Sequence, residues 1–388
     1  RNCWLTYTNE KTHEIIRENI MRAPKYAGKI HGIGARYCPS IEDKVVRFAD
    51  KDRHQLFVEP EGLDTTEMYV QGMSTSMPID VQYAFLRTIP GFEDVKMMRP
   101  AYAIEYDLLD PLQLYPTLEV IKLPGLYSAG QSNGTSGYEE AAAQGLVAGI
   151  NAALKIQGKD PFILARHEAY IGSLVDDLVT KGADEPYRMM TSRSEYRLIL
   201  RQDNADLRLT EKGHSIGLVG EERYARFLER KKKYEEAMDY IRTQRFTPKE
   251  EINRALESMG TAPLTTGTGA DQILKRPEMT YRKMMEILGC PSFDEEAVEE
   301  MEITVKYEGY IARQEAAVRK AARMENEKLP LDMDYLSLDG ISTEARQKMD
   351  KIRPLSLGQA ARIPGVSPAD ISVLMVYVKQ RKGKKGAE

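Results

Sequence analysis

A short strand, a glycine-rich turn and a helix of small residues are predicted within residues 124–154, and this unit constrains the fold more than any other stretch. The strand covers 126–129, and Gly130, Gly134 and Gly137 follow it. A glycine takes a positive φ, or lets a ligand approach the backbone, at less cost than a residue with a Cβ. The following helix would direct free N–H groups and the positive end of its dipole at the turn. Such an arrangement is typical of a nucleotide cofactor site.

The turn lacks the G-x-G-x-x-G fingerprint of dinucleotide-binding proteins, which also occurs nowhere else in the chain. A tightly packed strand, turn and helix without a ligand is therefore the alternative interpretation. Strand, turn and small-residue helix together predict a doubly wound parallel sheet, with the ligand at the carboxyl end of the strand. One such unit cannot form that sheet alone. We expect further strands upstream of Arg1, so that the sequence would begin inside a longer protein.

Composition narrows the class of protein. With 42% hydrophobic and 29% charged residues among 388, the chain is typical of soluble globular proteins with two or three domains. No apolar run reaches the ~18 residues of a membrane span and no signal peptide is present, so we expect a cytoplasmic protein. The net charge of −4 argues against a uniformly basic nucleic-acid binder, but not against local basic clusters. Three separated cysteines and five scattered histidines predict neither a disulfide framework nor a metal site.

The pattern of apolar residues changes along the chain. It predicts the fold class α/β plus α: part of a doubly wound, cofactor-binding α/β region, followed by an all-helical carboxyl-terminal domain. The four predicted regions are 1–110, 111–160, 161–310 and 311–388. The expected strands are 3–8, 45–48, 55–59, 68–72 and 118–121, and the expected helices are 11–20, 78–86, 168–178, 221–242 and 299–328.

Arginines are concentrated in the segment 184–201. A helix capped at Thr191 or at the next serine would align Arg193, Arg197 and Arg201 on one face, because residues four apart are neighbours on a helix. A strand over 196–201 in place of the second half of that helix would also bring its two arginines, Arg197 and Arg201, to one face. Arginine suits phosphate contacts, and nearby tyrosines are available to stack on bases. The alternative is an arginine face that is simply paired with carboxylates.

Cys38 has the most obvious chemical potential in the first region. A thiolate is a strong nucleophile, and Arg36 in the same loop would lower the pKa of the cysteine. Pro39 disfavours a helical conformation at the cysteine, which places it in a loop or at a strand end. Because no histidine adjoins it, an inert loop cysteine is the alternative interpretation.

Two helical features of the carboxyl-terminal half admit both a functional and a structural interpretation. The basic run 230–233, inside a long predicted helix, is typical of a solvated face and otherwise of a phosphate contact. Residues 357–378 predict two short helices, the second of them capped by Ser367. An end module of this kind suits the docking of a partner, although most apolar stripes belong to a core.

Six motifs occur in an order and at a spacing that match one known family. They are ARYCPSIEDK at 35–44, GQSNGTSGYEEAAAQG at 130–145, DDLVTKG at 176–182, EPYRM at 185–189, RQDNADLRL at 201–209 and LGQA at 357–360. With these motifs the chain resembles the carboxyl-terminal part of the GidA/MnmG family, flavoproteins that modify the wobble uridine of certain tRNAs. The family's amino-terminal FAD fold and second reactive cysteine are absent from this sequence, and Ala35 replaces the family's usual proline.

The resemblance implies a reaction and its participants. Together with a GTPase partner, the family adds an aminomethyl or carboxymethylaminomethyl group to C5 of the uracil ring. Methylenetetrahydrofolate supplies the carbon, FAD carries redox equivalents and NADH supplies hydride. Uracil C5 is a poor nucleophile, and addition of a thiolate at C6 would form an enolate that can attack the one-carbon unit. A homodimer is implied as well.

The resemblance also implies site residues, beginning with Cys38 as the catalytic cysteine. The implied NAD-binding stretch consists of Gly34, Ala35, Arg36, Tyr37, Cys38, Pro39, Ser40, Ile41, Glu42, Asp43, Lys44, Val45, Val46, Arg47 and Phe48. The implied FAD contacts are Gln131, which matches the family's flavin-contacting glutamine, and its neighbours Gly130, Asn133, Gly134, Gly137 and Tyr138. In addition, we expect tRNA to bind at Arg188, Arg193, Arg197 and Arg201.

Two alternative functions remain open at this point. The related folate- and FAD-dependent tRNA uridine methyltransferase lacks a long helical extension, so the helical patterns of 161–388 argue against it. The other alternative is a non-catalytic module that binds tRNA and a partner. Because the family's pyrophosphate site lies upstream, we expect that the chain on its own does not retain FAD.

Overall fold

The computed structural model describes residues 2–30, 39–103, 105, 107–183 and 185–385, with side chains described as far as residue 380. The chain divides into two compact units. The first comprises Arg1–Asp110, Gly130–Ala141 and Ala183–Arg188, and the second comprises Pro111–Ala129, Ala142–Gly182 and Met189–Glu388. Each unit therefore draws on more than one stretch of sequence.

The first unit is built on a three-stranded antiparallel sheet in the order β1-β2-β3. Its strands and helices are β1 Trp4–Tyr7, α1 Glu10–Glu18, α2 Ile41–Arg47, β2 Gln55–Pro60, β3 Met68–Gln71 and α3 Ile79–Leu86. In β2, Leu56 is fully buried while Phe57 is 39% exposed, because successive side chains of a strand point to opposite faces of the sheet. Leu56 joins a core that includes Ile16, Ile41 and Phe85 from the three helices.

In its described residues, the second unit is helical apart from a short sheet of β4 Arg245–Phe246 and β5 Thr268–Gly269. Its helices are α4 Tyr138–Ile156 (whose first turn belongs to the first unit), α5 Tyr170–Lys181, α6 Ala205–Ser215, α7 Glu221–Thr243, α8 Glu250–Ser258, α9 Ala270–Leu274, α10 Tyr281–Leu288, α11 Glu295–Asn326, α12 Thr343–Ile352, α13 Leu357–Arg362 and α14 Pro368–Lys385. None of the helices in the described ranges has the length and apolar content that crossing a bilayer requires.

Three apolar cores hold the second unit together. Leu118 packs with residues of α4 and α5 in one core. Ile241 and Met301 belong to a larger core between α7, α9, α10 and α11. Met349 and Leu374 belong to the core of the terminal bundle, which α12, α13 and α14 form with the segment before them. The helix α11 serves both of the last two cores, because Met324, near its end, packs against the terminal bundle.

The predicted fold class is confirmed, since a small α/β region is followed by a helical domain. Predicted strands at 3–8, 55–59 and 68–72 correspond to β1, β2 and β3, and predicted helices at 11–20, 78–86, 168–178, 221–242 and 299–328 correspond to α1, α3, α5, α7 and α11. Ser367 accepts a hydrogen bond at Oγ from the N–H of Asp370 at 3.2 Å, which is the predicted cap of α14. The four region boundaries stay predictions.

Three predicted strands are wrong. Residues 45–48 lie in or directly after α2, because Ile41 and Val45, four residues apart, are both buried on one helix face. Residues 118–121 and 126–129 form only isolated antiparallel bridges, between Leu114 and Val120 and between Glu119 and Tyr127. A strand needs a continuous ladder of hydrogen bonds to a neighbour, and these bridges are single pairs.

Candidate functional site

The glycine-rich turn reverses the chain through two left-handed glycines. Gly130 has a φ of 89° and Gly134 a φ of 84°, on either side of a 3-10 helix at Gln131–Asn133. These conformations strain any residue that has a Cβ. At Gly134, an added Cβ would also lie 2.7 Å from Cβ of Ala183 and 2.9 Å from Cδ1 of Leu108. The backbone conformation therefore favours glycine at both positions, and packing requires it at Gly134, whether or not a ligand is bound.

Gly137, directly before α4, has a different role. An added Cβ there would lie 1.7 Å from Oε2 of Glu140 and 2.0 Å from Nη1 of Arg188. Glu140 is buried, and Arg188 approaches Glu140 at 3.6 Å and Glu139 at 3.5 Å. Arg188, which the sequence predicted to bind tRNA, thus lies against two carboxylates at the start of α4 in the first unit.

Hydrogen bonds fix the conformation of the turn. The N–H of Tyr187 donates to the carbonyl of Gly134 at 2.7 Å, and the N–H of Ser136 donates to the carbonyl of Tyr187 at 3.0 Å. Between them, Thr135 is buried, and its Oγ1 donates to the carbonyl of Gly130 at 3.1 Å. The turn is thus a fixed support for the side chains that project from it.

The side chains predicted to contact FAD differ in their exposure. Of the predicted FAD contacts, Gln131 is exposed, Tyr138 is 93% exposed and Asn133 is fully buried. Glu139 and Glu140 occupy the first turn of α4. Carboxylates at a helix start match the positive end of the helix dipole, and Arg188 pairs with both of them. Gln131 and Tyr138 are therefore the side chains of this set that a cofactor can reach.

The stretch predicted to bind NAD lies partly outside the described residues. Gly34, Ala35, Arg36, Tyr37 and Cys38 are the predicted site residues outside them. The remainder, 39–48, forms the cap and body of α2. Ser40 accepts a hydrogen bond at Oγ from the N–H of Asp43 at 3.3 Å and so caps the helix. Of the α2 region, the exposed side chains are those of Val46, Arg47 and Phe48, which a ligand can reach.

Two buried carboxylates of α2 have different surroundings. Asp43 accepts hydrogen bonds from Nζ of Lys25 at 2.8 Å and from the hydroxyl of Tyr26 at 2.9 Å. Burial opposes the ionisation of Asp43, but these bonds outweigh burial and lower its pKa. Oε1 of Glu42 accepts from N and Oγ of Ser76, at 3.0 and 2.8 Å. Its Oε2 is buried without a hydrogen-bond partner among the described residues, and so it can accept a further hydrogen bond.

The arginine-rich segment forms turns rather than a helix or a strand. A 3-10 helix at Thr191–Arg193 is followed by turns as far as residue 199. Met190 holds the position before this 3-10 helix and makes no side-chain cap. The predicted helix with Arg193, Arg197 and Arg201 along one face is therefore wrong, and so is the alternative strand from 196 onward.

Arg166 explains why the segment adopts this conformation. Its buried guanidinium donates to Oε1 of Glu195 at 3.1 Å, to the carbonyl of Arg193 at 3.2 Å and to Asp177 at 2.7 Å. Burial disfavours the charge of Arg166, but the hydrogen bond to Glu195 and the charges of Asp177 and Asp176 outweigh it and raise its pKa. Glu195 is thus held by this buried cation.

Asp176 connects Arg166 to the terminal bundle. Its carboxylate accepts a hydrogen bond from Arg166 at 3.1 Å and two from Arg362 of α13, each at 2.7 Å. Arg362 also pairs with Glu325 near the end of α11. Burial opposes the charge of Arg362, but Asp176 and Glu325 outweigh it and raise its pKa. The Asp176 network is defined here as Arg166, Asp176, Asp177, Glu195, Glu325 and Arg362.

The arginines of the segment differ in their surroundings. Arg201 is largely buried, donates through Nε to Asp203 at 3.0 Å and donates through Nη1 to the carbonyl of Leu198 at 2.8 Å. Arg193 is half-buried. Arg197 is exposed, and no carboxylate among the described residues forms an ion pair with it. Arg197 is thus better placed than Arg201 to contact an incoming phosphate.

The basic run 230–233 of α7 is paired with carboxylates. Arg230 contacts Asp206 at 2.6 Å and both Glu296 and Glu300 at 3.3 Å; Lys231 contacts Glu211 at 2.7 Å; Lys232 contacts Glu236 at 3.8 Å; and Lys233 contacts Glu229 at 3.3 Å and Asp294 at 3.4 Å. These contacts favour the structural interpretation of the run.

The Asp176 network was not anticipated from the sequence. Asp176 and Asp177 both lie in the DDLVTKG motif, and two adjacent acids that become buried are a usable signal of a buried cation nearby. The two arginines gave no comparable signal. In particular, Arg362 lies 186 residues from Asp176 in the chain, and no sequence pattern connects the two.

An α/β unit that carries a glycine-rich turn, together with a helical unit that carries an arginine-bearing turn, defines a two-part protein of the α/β-plus-helical class. Three family models match it: "Glucose inhibited division protein A" over residues 1–160, "tRNA modifying enzyme MnmG/GidA C-terminal helical domain" over 221–315, and "tRNA modifying enzyme MnmG/GidA C-terminal helical bundle" over 317–388. The chain belongs to the GidA/MnmG family.

Individual relatives agree with this assignment. The tRNA uridine 5-carboxymethylaminomethyl modification enzyme MnmG of Caldicellulosiruptor saccharolyticus is 57% identical over 385 residues, which are 99% of this chain and 62% of the relative. The protein of the same name from Enterococcus faecalis is 58% identical over 382 residues, 98% of this chain and 60% of the relative. The form II crystal structure of Aquifex aeolicus GidA matches with a TM-score of 0.82 and 46% identity, covering 98% of this chain and 59% of that chain. The chain thus spans 60% to 62% of the length of these two curated relatives.

Proposed function

We propose that this chain forms part of an enzyme that modifies the wobble uridine of tRNA at C5 of the uracil ring. The observation that carries the proposal is the name shared by relatives that are 57% and 58% identical over 99% and 98% of this chain. Each of them is named a tRNA uridine 5-carboxymethylaminomethyl modification enzyme. Because the similarity extends through both units and is not confined to one shared domain, it favours a common reaction.

The reaction requires a nucleophile that activates the uracil ring, and we assign this role to Cys38. Addition of the Cys38 thiolate to C6 forms an enolate, whose C5 attacks an electrophilic carbon. The amine that carried this carbon must then leave, and a second amine must add in its place to give the aminomethyl group. Loss of the proton from C5 and expulsion of the thiolate then restore the ring. When bound, methylenetetrahydrofolate supplies the carbon, FAD the redox equivalents and NADH the hydride.

We assign cofactor contacts to the exposed side chains of two segments. Gln131 on the glycine-rich turn and Tyr138 at the start of α4 would contact FAD through their exposed side chains. For NADH, Val46 and Phe48 of the α2 region provide apolar contacts to a ring, and Arg47 provides a cation for a phosphate.

We further propose partners for the second unit. The carboxyl-terminal module, 311–388, docks a GTPase partner, and the enzyme acts as a homodimer in the cytoplasm. The arginine-rich segment contacts tRNA, and Arg197 is its principal phosphate contact because it is exposed and carries no ion pair with a described carboxylate. Arg188 and Arg201 already lie against carboxylates of the chain.

Complementation tests the proposal. In a strain that lacks its own family member, the complete gene encoding this chain should restore the modified wobble uridine, as measured by mass analysis of tRNA nucleosides. Cys38→Ser should abolish the modification but not tRNA binding, because a serine hydroxyl is a much weaker nucleophile than a thiolate. Cys3→Ser is the matched control, since Cys3 is exposed and outside the assigned sites. Full modification by Cys38→Ser would remove this cysteine from the mechanism.

A non-catalytic role in binding tRNA and a partner gives a different outcome. In that case the wild-type gene would not restore the modification, although the purified chain would bind tRNA. Flavin content is a second readout. We expect the purified chain to be colourless, because the family's pyrophosphate site lies upstream of this sequence. Stoichiometric flavin in the purified chain would contradict this assignment.

A further inference from the structure

The middle of α11 is exposed on most sides. This helix has 32 residues and is about 48 Å long. Met301 packs into the core that α11 shares with α7 and α9, and Met324 packs against the core of the terminal bundle. Between them, most side chains from 307 to 320 are exposed. The helix therefore bridges two cores and leaves its middle section accessible to another molecule.

Two tyrosines project from this middle section. Tyr307 is 47% exposed and Tyr310 is 55% exposed, and their ring centroids lie 6.4 Å apart. Tyr310 follows Tyr307 by three residues, and Gln314 follows Tyr310 by four, so that all three share one face of the helix. The two rings form a single exposed aromatic patch.

An arginine accompanies the tyrosines. The guanidinium carbon of Arg313 lies 4.9 Å from the ring centroid of Tyr310, within the range of a cation–π contact. Nε of Arg313 donates to the carbonyl of Gly309 at 3.2 Å. No carboxylate among the described residues forms an ion pair with Arg313. Its charge is therefore available to a phosphate.

The same face of α11 holds the arginine-rich segment. Oε1 of Gln314 accepts a hydrogen bond from the N–H of Leu198 at 3.2 Å, and its Nε2 donates to the carbonyl of Glu195 at 3.0 Å. Arg197 lies between these two anchored residues and is exposed. Gln314 thus fixes the turn that carries Arg197 one helical turn from Tyr310.

We propose that Tyr307, Tyr310, Arg313 and Arg197 form one surface that binds unpaired nucleotides of a tRNA, an inference that rests on the proposed function. Exposed rings stack on bases of any type, and arginines contact the phosphates between them. The exposed residues around the rings are short or charged and include no large aliphatic side chain from 307 to 320. Tyrosine and arginine are also enriched at protein-docking faces, but such faces have an apolar centre that this section of α11 lacks. The exposed rings beside unpaired arginine charges therefore favour RNA.

Replacing both tyrosines tests the stacking. The full chain with Tyr307→Leu and Tyr310→Leu should bind tRNA roughly 5- to 150-fold more weakly for each stacked ring that is lost. The slope of log affinity against log salt should stay unchanged, because stacking releases no counterions. Tyr307→Phe with Tyr310→Phe should keep wild-type affinity, since phenylalanine also stacks. Fluorescence anisotropy of labelled tRNA over a series of salt concentrations measures both quantities.

Arg313→Ala tests the phosphate contact separately from the stacking of bases on the tyrosines. Each lost phosphate contact should flatten the salt slope by about 0.7, the value for a single strand. Tyr83→Leu is the matched control for the tyrosines, because Arg87 lies 5.4 Å from the Tyr83 ring in α3, outside the proposed surface. This control should bind tRNA with wild-type affinity.

Three outcomes decide between the proposals. Wild-type affinity of the double leucine variant would overturn the stacking surface and leave the proposed function intact. Absence of tRNA binding by the wild type would overturn both. Should the double variant unfold at a lower temperature, Tyr310→Trp gives an independent readout, since Trp4 is the one tryptophan of the natural chain. Its fluorescence should be quenched when a base stacks on it, and unquenched fluorescence in the tRNA complex would overturn the surface.

Discussion

The carboxyl group of Glu300 is buried 3.3 Å from a guanidinium nitrogen of Arg230 and 4.0 Å from one of Arg201. Burial raises the pKa of Glu300 to about 7, and the charge of Arg230 opposes this rise. The negative charge of Asp203 raises it as well. Arg201, at the end of the arginine-rich segment, therefore lies near a group that changes its protonation around neutral pH.

Glu300→Gln should make folding less sensitive to pH. The folded pKa of about 7 exceeds the ordinary value of 4.5, so the folded state holds the proton more tightly, and the free energy of unfolding falls as the pH rises from 4.5 through 7. Glutamine has no proton to lose in this range. Between about pH 5 and pH 8, the free energy of unfolding of the wild type should fall by on the order of 2 kcal/mol from this group, and this fall should be absent in the variant.

Urea unfolding at the two pH values measures this difference. Glu299→Gln is the control, because Glu299 is an exposed neighbour of Glu300 on α11. The same pH dependence in both variants would show that Glu300 is not the titrating group.

Arg197 and Arg201 show how far residue types alone predict a site. Their spacing predicted one shared role, but Arg201 contacts Asp203 at 2.9 Å while Arg197 is exposed. Asp203 is visible in the sequence, yet a separation of two residues does not fix the direction of either side chain. Contacts from Arg166 and Gln314, distant in sequence, hold the turn that separates the two arginines.

At the scale of elements, the three strands of the antiparallel sheet and the long helices were predicted from the sequence, whereas three short apolar runs were wrongly predicted as strands. The run at 45–48 contains two valines and a phenylalanine, which favour a strand. A helix forms because Ser40 caps it and because Ile41 and Val45 are both buried on one face. The run at 126–129 has a single bridge, from Tyr127 to Glu119, and bridging depends on a partner that periodicity does not reveal.

Ser40→Ala should destabilise the first unit by about 1 kcal/mol, because the N–H of Asp43 loses its acceptor. Ser40→Gly should cost only a few tenths of that, roughly 0.3 kcal/mol, since glycine is tolerated at this position of a helix. Urea unfolding followed by circular dichroism compares the two. Wild-type stability of Ser40→Ala would mean that the serine hydroxyl does not stabilise α2.

At the scale of the molecule, the Asp176 network links parts of the second unit that lie far apart in the sequence. Arg166 holds the arginine-rich segment through Glu195, and Arg362 of the terminal bundle shares Asp176 with it. Burying charges is costly unless each one has a partner, so removal of one member exposes the others to that cost. The pattern of apolar residues predicted the fold class, but it does not predict the ion pairs of this network. The chain has many aspartates and glutamates, and residue type alone does not show which of them an arginine contacts.

Arg362→Ala should reduce the free energy of unfolding by on the order of 3 kcal/mol, because Asp176 and Glu325 lose a cation in a largely buried site. Arg254→Ala is the matched control, because Arg254 pairs with Glu250 on the surface, where both side chains are more than three-quarters exposed. Surface ion pairs of this kind contribute about 0–1 kcal/mol to stability. Urea unfolding of the full chain measures both. If the two variants lose the same stability, the network does not hold the bundle.

Nucleoside mass analysis of tRNA, from a strain that lacks the gene encoding this chain, tests most directly whether the chain belongs to a wobble-uridine-modifying enzyme. We predict that the aminomethyl and carboxymethylaminomethyl groups disappear from C5 of the wobble uridine, while 5-methyluridine is unchanged. Wobble uridines that remain fully modified, or a loss of 5-methyluridine alone, would contradict the proposed function.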